Sequence, residues 1–187
     1  KENIMSLKDQ ITTANYINYD EAFNKAKKLM QVKSSRNFGF YIIVAINTGR
    51  RIGDILSMTK NDFENGYKDF REQKTKKVSR IDFNPKIMDA FKEITCIGQK
   101  VFTSTHNSTF SSQQINRKLK QAFPHKRKNI SSHSLRKSFG RRVYESNGEC
   151  ESTLVKLSQM FNHSSLAVTR DYLDITQEEI KDIYLNL

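Results

Sequence analysis

The chain has no tryptophan, two prolines, two cysteines and seven glycines among its 187 residues. So few backbone breakers leave most of the length free for regular structure. Cys96 and Cys150 stand far apart without CxxC spacing, which argues against a zinc site or a disulfide scaffold and suits a reducing cytoplasm. No apolar run approaches the roughly 20 residues that a membrane span requires. The opening Lys1-Glu2-Asn3-Ile4-Met5 leads into a polar stretch without the apolar centre of a signal peptide. Because the first residue is not Met, the chain is expected to be a piece of a longer protein.

What the chain has in excess is positive charge. Its 32 Lys and Arg outnumber 20 Asp and Glu, a formal +12 at pH 7. Such an excess favours a polyanionic partner, because each phosphate neutralised releases a condensed counterion. The same excess fits many RNA-binding proteins, so charge narrows the partner without naming a reaction. Apolar residues make up 36%, enough for one globular core.

Periodicity and capping predict an α+β fold that is mainly helical with one small antiparallel β-sheet. Residues 1–17 carry little pattern and read as an arm or linker from a missing N-terminal region. Asn18, with Glu21 three positions on, can cap a helix carrying Ala22, Phe23, Ala26, Leu29 and Met30. A second helix is expected over Asn37–Asn47, stopped by Gly49, and a short third through Ile52, Ile55 and Leu56. After the turn signal Asn65-Gly66, Tyr67–Arg71 and Val78–Phe83 read as strands around the basic turn Lys74-Thr75-Lys76-Lys77. Asn84-Pro85 offers an N-cap and a first-turn proline. Ser111 with Gln114, then Ser131 or Ser132, open two further helices, and two more are expected at about 151–161 and 165–172. Thr176 with Glu179 begins an amphipathic tail helix bearing Ile180, Ile183, Tyr184 and Leu187. The body is therefore placed at 18–173 and the tail at 174–187.

Three segments hold polar residues that a plain helical bundle does not need. In Thr48-Gly49-Arg50-Arg51-Ile52-Gly53-Asp54, Arg51 begins a helix, where the positive dipole end also favours an anion. Its planar fork can hold two phosphate oxygens at once. The plainer reading is a surface arginine paired with Asp54. In Ser132-His133-Ser134-Leu135-Arg136, His133 and Arg136 lie three apart and share a helical face. An imidazole beside a guanidinium suits proton transfer next to bound phosphate, although solvated His and Arg pairs are common. In Phe161-Asn162-His163 through Asp171-Tyr172, a turn with a histidine leads into a short helix ending at a tyrosine. Most tyrosines are packing residues. One that attacks phosphorus needs help to lose a proton whose unperturbed pKa is about 10.

The combination says more than its parts. A TGxRxx(D/E) segment, a basic turn between strands, an HxLR segment and a histidine nine residues before a tyrosine occur here in one order. Across residues 18–187 this resembles the tyrosine recombinase, or phage integrase, family. The resemblance implies Arg51 and Arg136 as the phosphate-clamping arginines, His133 as the histidine of the HxxR motif, His163 at the later His/Trp position and Tyr172 as nucleophile. Lys74 is the choice for the catalytic lysine, with Lys76 and Lys77 beside it. Three positions depart from the family pattern: Arg50 where an apolar residue is usual, Asn162 where a glycine usually precedes the late histidine, and Asp54 in place of a more frequent Glu. Asn tolerates left-handed backbone angles, so the turn at Asn162 can survive.

The resemblance further implies catalysis without metal, ATP or any cofactor, double-stranded DNA as partner and a cytoplasmic setting. It implies an N-terminal core-binding domain that this sequence does not contain, and hence weak, salt-sensitive DNA binding by this part alone. Lys118, Lys120, Lys126, Arg127, Lys128, Lys137, Arg141 and Arg142 are candidates for DNA backbone contacts, with a solvated basic face as the alternative for any one of them. The tail either docks on its own domain or, as the resemblance implies, on a neighbouring protomer in a synaptic complex. Two rival functions stay open: a type IB topoisomerase, which uses a similar set of side chains, and a DNA-binding module without catalysis.

Overall fold

A computed structural model describes residues 14–71, 78–125, 128–175 and 184–186. The central element is α2 (Arg36–Thr48), with ten of its thirteen residues buried. A helix that is apolar all round can only sit inside, and α1 (Tyr19–Met30), α5 (Pro85–Phe91) and α7 (Ser132–Ser146) pack around it. Phe40 of α2 packs against Phe63, Phe91 and Phe102, with Phe63 stacked on Phe91 at 4.9 Å. A second cluster joins α7 to α8 (Glu151–Phe161) and α9 (Leu166–Tyr172) through Tyr144, Leu154, Leu157, Phe161, Tyr172 and Leu173. Among the described residues, no helix is long and apolar enough to cross a membrane.

Local signals set most of these elements. The Asn18 side chain accepts from the backbone N–H groups of Asp20 and Glu21 to open α1. Asn84 caps α5 with Pro85 in its first turn, and Ser111 with Gln114 forms a capping box for α6 (Ser112–Ala122). The expected sheet is present as β1 (Tyr67–Arg71) paired antiparallel with β2 (Val78–Asp82), Tyr67 opposite Asp82 and Arg71 opposite Val78. The basic turn holding Lys74, Lys76 and Lys77 lies outside the described residues, as does the tail segment from Thr176 to Ile183.

Two features differ from the sequence reading. A helix α4 (Lys60–Asn65) follows the short α3 (Ile52–Leu56), opened by a Thr59–Asp62 capping box and closed by Gly66 at φ 80°. With Phe63 its only buried residue it has no apolar periodicity to announce it, and Asn65-Gly66 is its end rather than a free turn. Residues 14–17, assigned to the arm, belong to the body. Ala14 and Ile17 are buried, Asn15 exchanges hydrogen bonds with Asn129 at 3.0 and 2.9 Å, and the Ile17 N–H donates to Ser138 of α7 at 3.0 Å.

Candidate active site

The site forms where the ends of α2 and α8 meet one face of α7. Gly49 closes α2 at φ 60°, and a Cβ there would fall inside the Phe139 ring of α7. Only glycine allows both that angle and that approach. The chain then runs extended through Arg51, the N-cap of α3. This separates two adjacent arginines. Arg50 turns toward the sheet, donating to Ser79 Oγ at 2.9 Å with its guanidinium 4.5 Å from the Phe70 ring centre. Arg51 turns the other way and donates to the Phe161 carbonyl at 3.3 Å.

Arg136 reaches the same carbonyl from α7. It is 4% exposed, donates from Nη1 to the Gly49 carbonyl at 2.6 Å and from Nη2 to the Phe161 carbonyl at 3.1 Å, and lies 4.3 Å from the Phe161 ring centre. Phe161 is the last residue of α8, so its carbonyl has no acceptor role inside that helix. The negative end of the α8 dipole also offsets the repulsion between two neighbouring guanidiniums. Burial, reinforced by the charges of Arg51 and Arg50, lowers Arg136 to about 10, so it keeps its charge at neutral pH.

His133 stands one turn before Arg136 at the start of α7. Its pKa is depressed, first by partial burial and then by Arg136, Arg51 and Lys137, although the residue keeps an exposed edge. The neutral ring is therefore favoured. Asn162 ends α8 at φ 54°, the left-handed turn expected of it, and swings His163 back over the Phe161 ring at 5.4 Å. His163 Nδ1 lies 3.0 Å from Thr169 Oγ1.

Tyr172 closes the site at the end of α9. Its ring meets those of Phe161 at 5.5 Å and His163 at 5.0 Å, both edge-on. The residue is 6% exposed, and its hydroxyl has no partner at hydrogen-bonding geometry among the described residues. Burial raises the phenol to about 12, while the nearby Arg136 and Arg51 guanidiniums pull the other way. Arg51, His133, Arg136, His163 and Tyr172 thus lie together around the C-terminal end of α8. Lys74 lies outside the described residues.

Among the residues singled out for DNA contact, Lys137 has a different setting. It is 2% exposed, pairs with Asp174 at 3.2 Å and lies 5.4 Å from the Tyr172 ring centre. It faces inward because it follows Arg136 on the buried side of α7, so its ammonium serves the fold rather than the surface. Arg142 stacks on Tyr19 at 3.6 Å, and Arg141 donates to the Leu173 carbonyl at 3.3 Å and pairs with Glu145. Lys118 lies near Phe38 and Phe110, while Lys120 and Lys128 are exposed. Lys126 and Arg127 lie outside the described residues. Sequence reasoning missed Thr169 and Asp174. The clue for Thr169 was a hydroxyl three residues before Tyr172, on the helical face that carries the tyrosine.

Solved structures share this architecture. The XerA recombinase superimposes with a TM-score of 0.66 at 18% identity over 91% of this chain and 64% of its own. XerH, solved with its palindromic difH substrate after cleavage, gives 0.63 at 18% identity over 98% of this chain and 56% of its own. The catalytic domain of bacteriophage HP1 integrase gives 0.58 at 15% identity over 85% of this chain and 86% of its own. The fold is that of a tyrosine recombinase catalytic domain, and the chain spans less than two thirds of the XerA and XerH chains. The phage integrase family model matches residues 15–179, so the chain belongs to that family. A probable integrase/recombinase of Bacillus subtilis, YoeC, is 28% identical over 174 residues, covering 88% of this chain and 91% of YoeC.

Proposed function

We propose that this chain cleaves and rejoins double-stranded DNA through a 3′-phosphotyrosine bond on Tyr172, in integration, excision or a related recombination. The observation that carries the reading is the convergence of Arg51 and Arg136 on one carbonyl beside the Tyr172 ring. A scissile phosphate brings oxygens that compete for the same donors. The transition state carries more charge on its equatorial oxygens than the ground state, and prepositioned guanidiniums stabilise that increment.

In the forward step the Tyr172 oxygen bonds to phosphorus as the bond to the 5′ oxygen breaks. The phenol proton passes to His133, which is held neutral and can accept it. Lys74 supplies a proton to the departing 5′ oxygen, and His163 donates a hydrogen bond to the phosphate. Because the phosphotyrosyl ester keeps the energy of the broken phosphodiester, a 5′-hydroxyl of another strand can attack the phosphorus, release Tyr172 and so exchange strands. Lys118, Lys120, Lys126, Arg127, Lys128, Arg141 and Arg142 supply backbone contacts. Other protomers, reached through the tail, and an N-terminal core-binding domain complete the assembly.

The test is SDS-resistant capture of nicked duplexes of randomised sequence by the full-length protein, run beside plasmid relaxation. Recovery of a shared sequence among the captured duplexes supports recombination. Capture without sequence preference, with relaxation of any supercoiled plasmid, favours a type IB topoisomerase. Binding with no covalent capture favours the DNA-binding module.

A further inference from the structure

Helix α9 contains one polar side chain with no exposed surface at all, Thr169. It sits beside a cluster of Phe161, Tyr172 and Leu173, where valine has the same shape and no polar atom to bury. A buried hydroxyl costs free energy unless it is hydrogen-bonded. Thr169 Oγ1 lies 3.0 Å from His163 Nδ1 and 3.3 Å from the Ser165 carbonyl.

We propose that Thr169 is the positioning residue for His163: its hydroxyl donates to Nδ1 and fixes the ring as the Nε2–H tautomer. The hydroxyl has one proton and two acceptors within reach. The Ser165 carbonyl, which also accepts the Thr169 backbone N–H, lies within donating reach of the hydroxyl at 3.3 Å, but the imidazole nitrogen is nearer at 3.0 Å. Were the hydroxyl turned to Ser165, Nδ1 would have to carry the ring proton. A neutral Nε2 would then meet a phosphate oxygen lone pair to lone pair. The ring packs against Phe161 and Tyr172, and the hydrogen bond made at Nδ1 bears directly on which nitrogen carries the proton. Thr169 and Tyr172 lie three apart on α9, so one short helix holds both the nucleophile and the group that orients its neighbouring histidine.

The identity of the acceptor, a DNA phosphate, rests on the recombinase reading; the tautomer does not. Full-length protein labelled with ¹⁵N-histidine separates the two. Two-bond ¹H–¹⁵N spectra, with His163 assigned by its loss in His163→Asn, report each ring nitrogen at a pH where the ring is neutral. The expected result is a pyridine-type Nδ1 and a pyrrole-type Nε2 in the wild type and in Thr169→Ser, with the two forms mixed in Thr169→Val. Adduct formation on captured nicked DNA should fall about tenfold in Thr169→Val, as for loss of one hydrogen bond to a charged group, and recover in Thr169→Ser. A pyrrole-type Nδ1 in the wild type, or a Thr169→Val spectrum identical to wild type, overturns the proposal. So does a Thr169→Val protein that loses activity and thermal stability together while its tautomer is unchanged. A wild type with the expected tautomer but no adduct on any duplex leaves Thr169 in its role and removes the recombinase reading instead.

Discussion

Arg51 and Arg136 donate to the same oxygen, the Phe161 carbonyl, at 3.3 and 3.1 Å. One arrives from the loop after α2 and the other from the second turn of α7, and the acceptor is the end of a third helix. Two like charges gather there because an unsatisfied helix terminus offers them a common partner.

The two arginines should separate in their effects on stability. Arg51 is exposed, so Arg51→Ala should change the free energy of unfolding by less than about 0.5 kcal/mol. Arg136→Ala removes two hydrogen bonds and the stacking on Phe161, and should cost about 2–3 kcal/mol in urea unfolding. Both should lower adduct formation about 10²–10³-fold.

Tyr172→Phe should fold as well as the wild type or better. Among the described residues the hydroxyl it deletes is buried with no partner at hydrogen-bonding geometry, although the Arg136 guanidinium stands near enough to favour the phenolate, so removing it should raise stability by up to about 1 kcal/mol. A fall of that size would mean that the phenol is satisfied in solution by a contact absent from this arrangement. At alkaline pH the wild type should lose stability that Tyr172→Phe keeps. Burial raises the phenol pKa to about 12, so its contribution is full below 10 and is lost as pH climbs through 12.

His133 gives the acid limb. Its folded pKa lies below the ordinary 6.5, so the folded state binds fewer protons than the unfolded chain within that window. The stability linked to it is fully present above 6.5 and falls as pH drops through the folded value. Adduct formation should follow the same limb, because only the neutral ring can accept the phenol proton. A rate profile with its midpoint above 6.5 would contradict this assignment, and His133→Gln should abolish the limb.

Lys137 and Asp174 should behave as a coupled pair. Asp174→Asn leaves a buried ammonium without its Asp174 counter-charge, whereas Lys137→Met leaves a carboxylate that is 39% exposed and still hydrated. The first should cost about 2 kcal/mol, discounted for that exposure, and the second less. A double-mutant cycle in denaturant reads the coupling.

How much of this was legible in the sequence depended on how local its cause was. Asn18, Asn84 and Ser111 opened their helices as read, because a cap and its recipient N–H lie within three residues. The β1–β2 pairing was legible from short alternating runs, although Phe83 leaves the strand to stack on Phe63 at 4.7 Å. Helix α4 was hidden because its box uses Asp62 and it buries Phe63 alone. The Gly49 register favoured Arg51 over Arg50 in the sequence, and in the structure the two side chains point to different partners, Ser79 and the Phe161 carbonyl. The burial of Lys137 depends on Asp174, a partner distant in sequence, and the role of Thr169 depends on a ring brought back by the Asn162 turn. No sequence period encodes either contact.

Whether Tyr172 is delivered to phosphorus is read directly by mapping the covalent bond. Wild-type protein trapped on nicked DNA is digested, and the peptide carrying the nucleotide remnant is sequenced by mass spectrometry. The expected remnant lies on Tyr172, with no adduct in Tyr172→Phe. A remnant on any other residue, or an adduct that persists in Tyr172→Phe, would contradict it.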